Sequence, residues 1–169
     1  AGAAPVYVVR EVDAPPSPPV FRHVLVPLDG SEAAEAALPT AAALARASGA
    51  TLTLMQVPTV PSYVTGIPET AGWIPHFLRE QASEATLYLQ AKVTALVAEG
   101  VESDIDVEVV TAGTVADGIL ASARQHAADV VIMSTHGRSG LGRWMFGSVA
   151  DQVLRAADRP VWLVRARGA

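Results

Sequence analysis

The sequence predicts an α/β domain: a five-stranded, mainly parallel open sheet with helices on both faces. Three observations carry that expectation. From His23 onward, five short apolar runs alternate with four segments whose apolar residues recur every three to four positions. Half of the 169 residues are hydrophobic, enough for one domain with a sizeable core. The run Val130, Val131, Ile132, Met133 is apolar at every position, as a buried strand is, and a polar, glycine-rich loop follows it.

Each element has its own signal. "HVLVPL" (23–28) is the first apolar run, and "SEAAEAALPTAAALARASG" (31–49) follows with helix formers, a start at Ser31 and Glu32 and a stop at Gly49. "TLTLMQV" (51–57) reads as the second strand and "LREQASEATLYLQAKVTALVAEG" (78–100) as a long amphipathic helix ended by Gly100. "IDVEVVT" (105–111) is the third strand, its early polar alternation suiting a sheet edge. A helix over 114–127, a strand over 129–134, a helix over 148–157 and a last strand over 160–166 complete the series. Crossover helices between successive strands require a parallel sheet, and ligands of such sheets bind beyond the strands' carboxyl ends where the strand order reverses. The loops after the first and fourth strands, "DGS" (29–31) and "STHGRSGLGRWMFGS" (134–148), are therefore the candidate site.

Composition narrows the function. A net charge of −5 argues against a general nucleic-acid or anionic-membrane binder, so any anion site is local. The absence of cysteine excludes disulfides, thiolate metal sites and cysteine nucleophiles. No run has the length of a membrane span and no export signal opens the chain, which together suit a cytoplasmic protein.

Two segments stand outside the alternation. Residues 58–77, rich in Pro, Gly and aromatics, are too long for an ordinary connection and read as a lid, a partner surface or a variable insertion. Residues 4–11, "APVYVVRE", echo 159–166, "RPVWLVRA", in register, and a Pro-rich linker follows them. The division is thus 1–20, a strand-like segment plus linker that reads as the last strand of an upstream copy, and 21–169, the full domain. The alternatives are a strand that adds to a sheet edge, its own or a neighbour's, and chance similarity.

The glycine-rich loop fits neither of two common phosphate-binding patterns. A P-loop needs Gly-Lys-Ser/Thr, and the only lysine is Lys92, inside a helix; a dinucleotide fingerprint needs G-x-G-x-x-G after the first strand, where "LDGSE" stands. What remains is Ser134, two residues, Gly137, nine residues, then Gly147-Ser148. With "VLVPLDGS" (24–31) and "AGTVADGIL" (112–120), this spacing resembles the universal stress protein family across 21–169. That family's ATP-binding members carry Gly-x2-Gly-x9-Gly-Ser/Thr after the fourth strand.

The resemblance implies a Rossmann-like, adenine nucleotide α-hydrolase-like sheet of order 3-2-1-4-5 and an ATP site, with Mg²⁺ held mainly by the phosphates. Pro27 and Asp29 belong to its first-strand hallmark; Asp29 and the backbone of Val57 would meet the adenine or its surroundings, and Met133 would pack against the base. Gly137 would aim its amide at the phosphates, Gly147 would let the backbone approach, and Ser148 and Val149 would present N–H groups at the positive end of a helix. Arg138 and Arg143 would add charge-assisted contacts. Ser134 departs from the pattern: its Cβ would crowd the ligand, and serine takes positive φ less cheaply than glycine. The resemblance also implies a homodimer through the last strand, or a pseudo-dimer with an upstream copy. Plainer roles stand beside these: Asp29 as a turn or capping acid, Ser148 as a helix cap, and His136 as a loop-ordering residue. With no dense cluster of acids and bases, catalysis beyond slow ATP hydrolysis is not expected. The alternative function is a nucleotide-free stress-response protein acting through protein–protein interaction.

Overall fold

The predicted alternation of strands and helices is present in the computed structural model, which describes residues 6–8, 20–60, 72–135 and 147–165. In chain order the elements are β1 (Val6–Val8), β2 (His23–Pro27), α1 (Glu32–Glu35), α2 (Leu38–Ser48), β3 (Thr51–Gln56), α3 (Ile74–Ala98), β4 (Ile105–Val109), α4 (Val115–Gln125), β5 (Val130–Ser134), α5 (Ser148–Ala156) and β6 (Val161–Val164). They form one sheet of order β1-β6-β5-β2-β3-β4. Strands β2 to β6 pair in parallel, giving the expected five-strand order, with β4 at the edge that its polar alternation predicted. The sixth strand, β1, adds to β6 antiparallel.

Apolar residues on both faces explain why the central strands read as unbroken runs. Val24 and Val26 join Ala41 and Ala45 of α2 and Leu89 and Leu96 of α3 in one core. Leu25, between them, belongs to the other core with Ile119 and Ala123 of α4 and Val153 of α5. Each buried aliphatic side chain of this size contributes roughly 1.5–3 kcal/mol relative to exposure, so the two layers of helices hold the sheet from both sides.

Local chemistry sets the helix ends. Ser31 Oγ accepts from Ala34 N at 3.1 Å and caps α1, as its position predicted. The single helix expected over 31–49 is instead two, because Pro39 lies in the first turn of α2 and has no N–H to give to the preceding turn. Helix α3 begins at Ile74 rather than at 78, again with a proline, Pro75, in its first turn, where a missing N–H costs nothing. Residues 74–77 of the proposed insertion therefore belong to α3, and 61–71 lie outside the described residues. Thr114 caps α4 by accepting from Asp117 N at 3.1 Å. At the start of β2, Asp129 Oδ2 accepts from Arg22 N at 2.6 Å and His23 N at 2.9 Å, tying this strand to β5. No helix among the described residues is long and apolar enough to cross a membrane.

Candidate functional site

The strand order reverses between β2 and β5, and a cavity of about 260 Å³ opens at the carboxyl ends of these strands. This is slightly below the usual span of small-molecule sites, about 300–1,000 Å³. Pro27 and Asp29 from the end of β2, Val57 after β3, Met133 and Ser134 from β5, and Gly147, Ser148 and Val149 at the start of α5 all line it. These residues come from four separate stretches of chain, and the topology gathers them. Gly137 and Arg138, with His136 and Arg143, lie outside the described residues.

The first loop is built by a side chain that turns on its own backbone. Asp29 Oδ1 accepts from Ser31 N at 3.0 Å and from Ser31 Oγ at 2.6 Å, and Gly30 between them takes φ 83, a left-handed conformation that glycine adopts cheaply. Asp29 thus lines the cavity and also orders the turn that caps α1. Leu28 N donates to Met55 O at 2.8 Å, which continues the β2–β3 pairing to the cavity's edge.

The second loop is closed at its base. Gly147 N donates to Thr135 O at 2.8 Å, so these two residues meet beside the cavity, while Thr135 N donates to Val164 O at 2.9 Å. Helix α5 starts immediately after this pinch. Its N-cap is Gly147, with no side-chain capping bond, and Ser148 is the first helical residue rather than the cap. The first N–H groups of a helix have no partner within it and carry its positive end, so Ser148, Val149 and Ala150 give one wall a cradle suited to negative charge.

Ser134 ends β5 as a strand residue, 6% exposed and in register with Val164. Among the described residues, Ala127 is the only non-glycine with positive φ. The backbone at 134 therefore makes no demand for glycine's left-handed freedom, and that concern about serine falls away.

Sequence reasoning did not select Gln81 of α3, Val115 and Ile119 of α4 or Thr135 as lining residues. Val115 and Ile119 stand four apart, one helical turn, just inside a capped helix that starts near a strand end; that spacing was the available signal. Nothing local distinguishes Gln81. Val57, Val115, Ile119 and Met133 make part of the cavity lining apolar, and Gln81, Thr135 and the start of α5 add polar groups to it.

The fold is an α/β domain of the doubly wound class, with a cavity at the point where its strand order reverses. The family model described as the universal stress protein family matches residues 21–165, and the chain belongs to that family. Universal stress protein MJ0531 of Methanocaldococcus jannaschii is 30% identical over 148 residues, covering 86% of this chain and 83% of that protein. Among solved structures, universal stress protein UspA from Lactobacillus plantarum aligns with a TM-score of 0.72 at 22% identity, over 89% of this chain and all of that one. A universal stress protein in complex with cAMP aligns at TM-score 0.63 and 21% identity, over 88% of this chain and all of that one. The universal stress protein from Archaeoglobus fulgidus in complex with dAMP aligns at TM-score 0.61 and 21% identity, over 88% of this chain and 99% of that one. Another from Archaeoglobus fulgidus, at TM-score 0.65 and 24% identity, covers 96% of this chain with half of its own length.

Proposed function

We propose that this protein is a stress-response regulatory module that binds an adenine nucleotide, ATP in the first instance, at the strand-end cavity, with Mg²⁺ carried mainly on the phosphates. The observation that carries this reading is the pairing of an apolar wall with a helix start. Val57, Val115, Ile119 and Met133 suit the flat face of a base, and the amides of Ser148 and Val149 suit a phosphate. Gly137 and Arg138 would complete the phosphate site from the loop. Two structurally similar proteins crystallised with cAMP and dAMP support an adenine nucleotide as the ligand class. The cytoplasm, where ATP is plentiful, is the compartment this reading requires.

Calorimetric titration with MgATP, ADP and AMP tests it, using the wild type and Gly147→Val. The wild type binds with ATP preferred. The valine side chain at the cavity wall weakens binding at least about tenfold, equivalent to about 1.4 kcal/mol. No heat with any of the three nucleotides would overturn the reading in favour of a nucleotide-free interaction protein.

For assembly, we infer that the outer edge of β6 is where a second domain of this kind joins, as a homodimer or as a pseudo-dimer within a longer chain. A short strand with Val161 and Leu163 buried on one face presents unpaired backbone groups along that edge unless another strand covers them.

A further inference from the structure

At the outer edge of β6, the internal echo of the sequence coincides with a particular pairing register. Residues 5–10, Pro-Val-Tyr-Val-Val-Arg, repeat the pattern of 160–165, Pro-Val-Trp-Leu-Val-Arg, so Val6, Tyr7 and Val8 correspond to Val161, Trp162 and Leu163. In the sheet, Val6 pairs with Leu163, Tyr7 with Trp162 and Val8 with Val161, antiparallel. Tyr7 therefore lies opposite its own counterpart, and its two neighbours lie opposite each other's counterparts. This is the register that two identical β6 strands would take about a twofold axis through residue 162. Antiparallel pairing alone does not select it, because a shift along β6 keeps a ladder and loses the symmetry.

We propose that β1 stands in for the β6 strand of a second copy of this chain. The edge of β6 is a self-complementary seat; β1 fills it from within the same chain, and withdrawing β1 opens it to β6 of another copy. This rests on the assembly reading above and adds what controls it. The seat holds one strand at a time, so the amino-terminal segment and a second copy exclude one another. A second copy's β6 brings a whole domain with it, and the added contacts let it displace β1, which is paired to β6 over Val6–Val8 among the described residues.

The full chain has no cysteine, so introduced thiols report pairing without background. Residues directly opposite in an antiparallel pair have Cα atoms about 4.5–5.5 Å apart, within the reach of a disulfide. Tyr7→Cys with Trp162→Cys, oxidised in air, is expected to close a disulfide within one chain, with the light-scattering mass of a monomer. Tyr7→Pro with Val8→Pro removes one bond to β6, because adjacent residues alternate in which one points its N–H across the pair. Combined with Trp162→Cys, it is expected to give a two-chain mass and a Cys–Cys crosslink at 162, suppressed by excess peptide of residues 1–14. Should the prolines prevent folding, Val6→Gly with Val8→Gly weakens β1 without removing a donor and carries the same expectation.

Three results overturn the proposal, and they are distinguishable. Crosslinks between chains in the Tyr7→Cys, Trp162→Cys variant mean that β1 is not seated within its own chain. Trp162→Cys alone crosslinking as fully as with the prolines means that β1 does not govern the edge. A folded proline or glycine variant that stays a single chain, with no crosslink at 162, means that β6 is not an assembly edge and the underlying reading fails.

Discussion

Gly118 sits in the middle of α4, where glycine ordinarily weakens a helix by about 1 kcal/mol relative to alanine. Replacing it with alanine should nonetheless destabilise this protein. A Cβ at 118 would stand 2.7 Å from Val57 Cγ2, 3.2 Å from Ala112 Cβ and 3.4 Å from Val57 Cγ1. The closest approach is about 1 Å inside the ordinary carbon–carbon separation of about 3.5–4.0 Å. Val57 is 8% exposed, and its branched side chain has few χ1 alternatives, so it cannot simply swing away. Overpacking of this kind costs about 1–3 kcal/mol; set against the helix gain, Gly118→Ala should lose about 1 kcal/mol net, or about 2–4 °C in Tm for a domain of this size. Val57→Ala removes both contacting methyls, so in urea titrations the double variant should be more stable than the sum of the singles by about 1 kcal/mol or more. Because Val57 lines the cavity, Gly118→Ala should also weaken nucleotide binding, and the Val57→Ala background should remove that added loss. A Gly118→Ala protein stabilised by about 1 kcal/mol, with effects that simply add, would show that α4 gives way and would refute the close-packing account.

Three further perturbations test other parts of the structure. Burial, and then the nearby His126, hold His23 below its ordinary value of 6.5 despite Asp106 and Asp129. Its stabilising contribution is therefore complete above 6.5 and is lost as pH falls from there toward the lower folded value, since the unfolded chain takes up the proton first. The urea midpoint should drop more between pH 7.5 and 5.5 in the wild type than in His23→Gln, an amide able to keep the 2.7 Å contact with Thr53 Oγ1; equal drops would remove His23 from the account. Asp129→Ala takes away the acceptor of two backbone N–H groups at the start of β2 and should cost about 2–3 kcal/mol in thermal or urea unfolding, with Asp129→Asn recovering part of it. Ser31→Ala loses the α1 cap and the 2.6 Å partner of Asp29, at a cost of about 1 kcal/mol, and should loosen the first cavity loop as a fall in nucleotide affinity.

The strands were legible because both faces of the sheet are buried, which leaves runs such as Val24–Val26 and Val130–Met133 apolar throughout. The starts of α1 and α4 were legible for a local reason, a hydroxyl three residues before the N–H it accepts from. Prolines misled the reading in both directions. Pro39 split one expected helix into two, and Pro75, counted as part of a loop, lies in the first turn of a helix. At the site, eight of the eleven candidate residues (Pro27, Asp29, Val57, Met133, Ser134, Gly147, Ser148 and Val149) line one cavity, because strand ends at a reversal of order converge by topology, and the other three lie outside the described residues. Gln81 carries no local signal, since only the packing of α3 against the sheet brings it there. The echo between residues 4–11 and 159–166 was visible in the sequence. Its direction and register against β6 were not, because pairing between distant segments leaves no local trace.

The most direct test of nucleotide binding is to denature the freshly purified protein, remove it, and analyse the supernatant for nucleotide by reverse-phase chromatography. Near-stoichiometric adenine nucleotide from the wild type, and little from Gly147→Val, is the expected result. An empty supernatant from the wild type, together with no thermal shift on adding MgATP, would contradict the account.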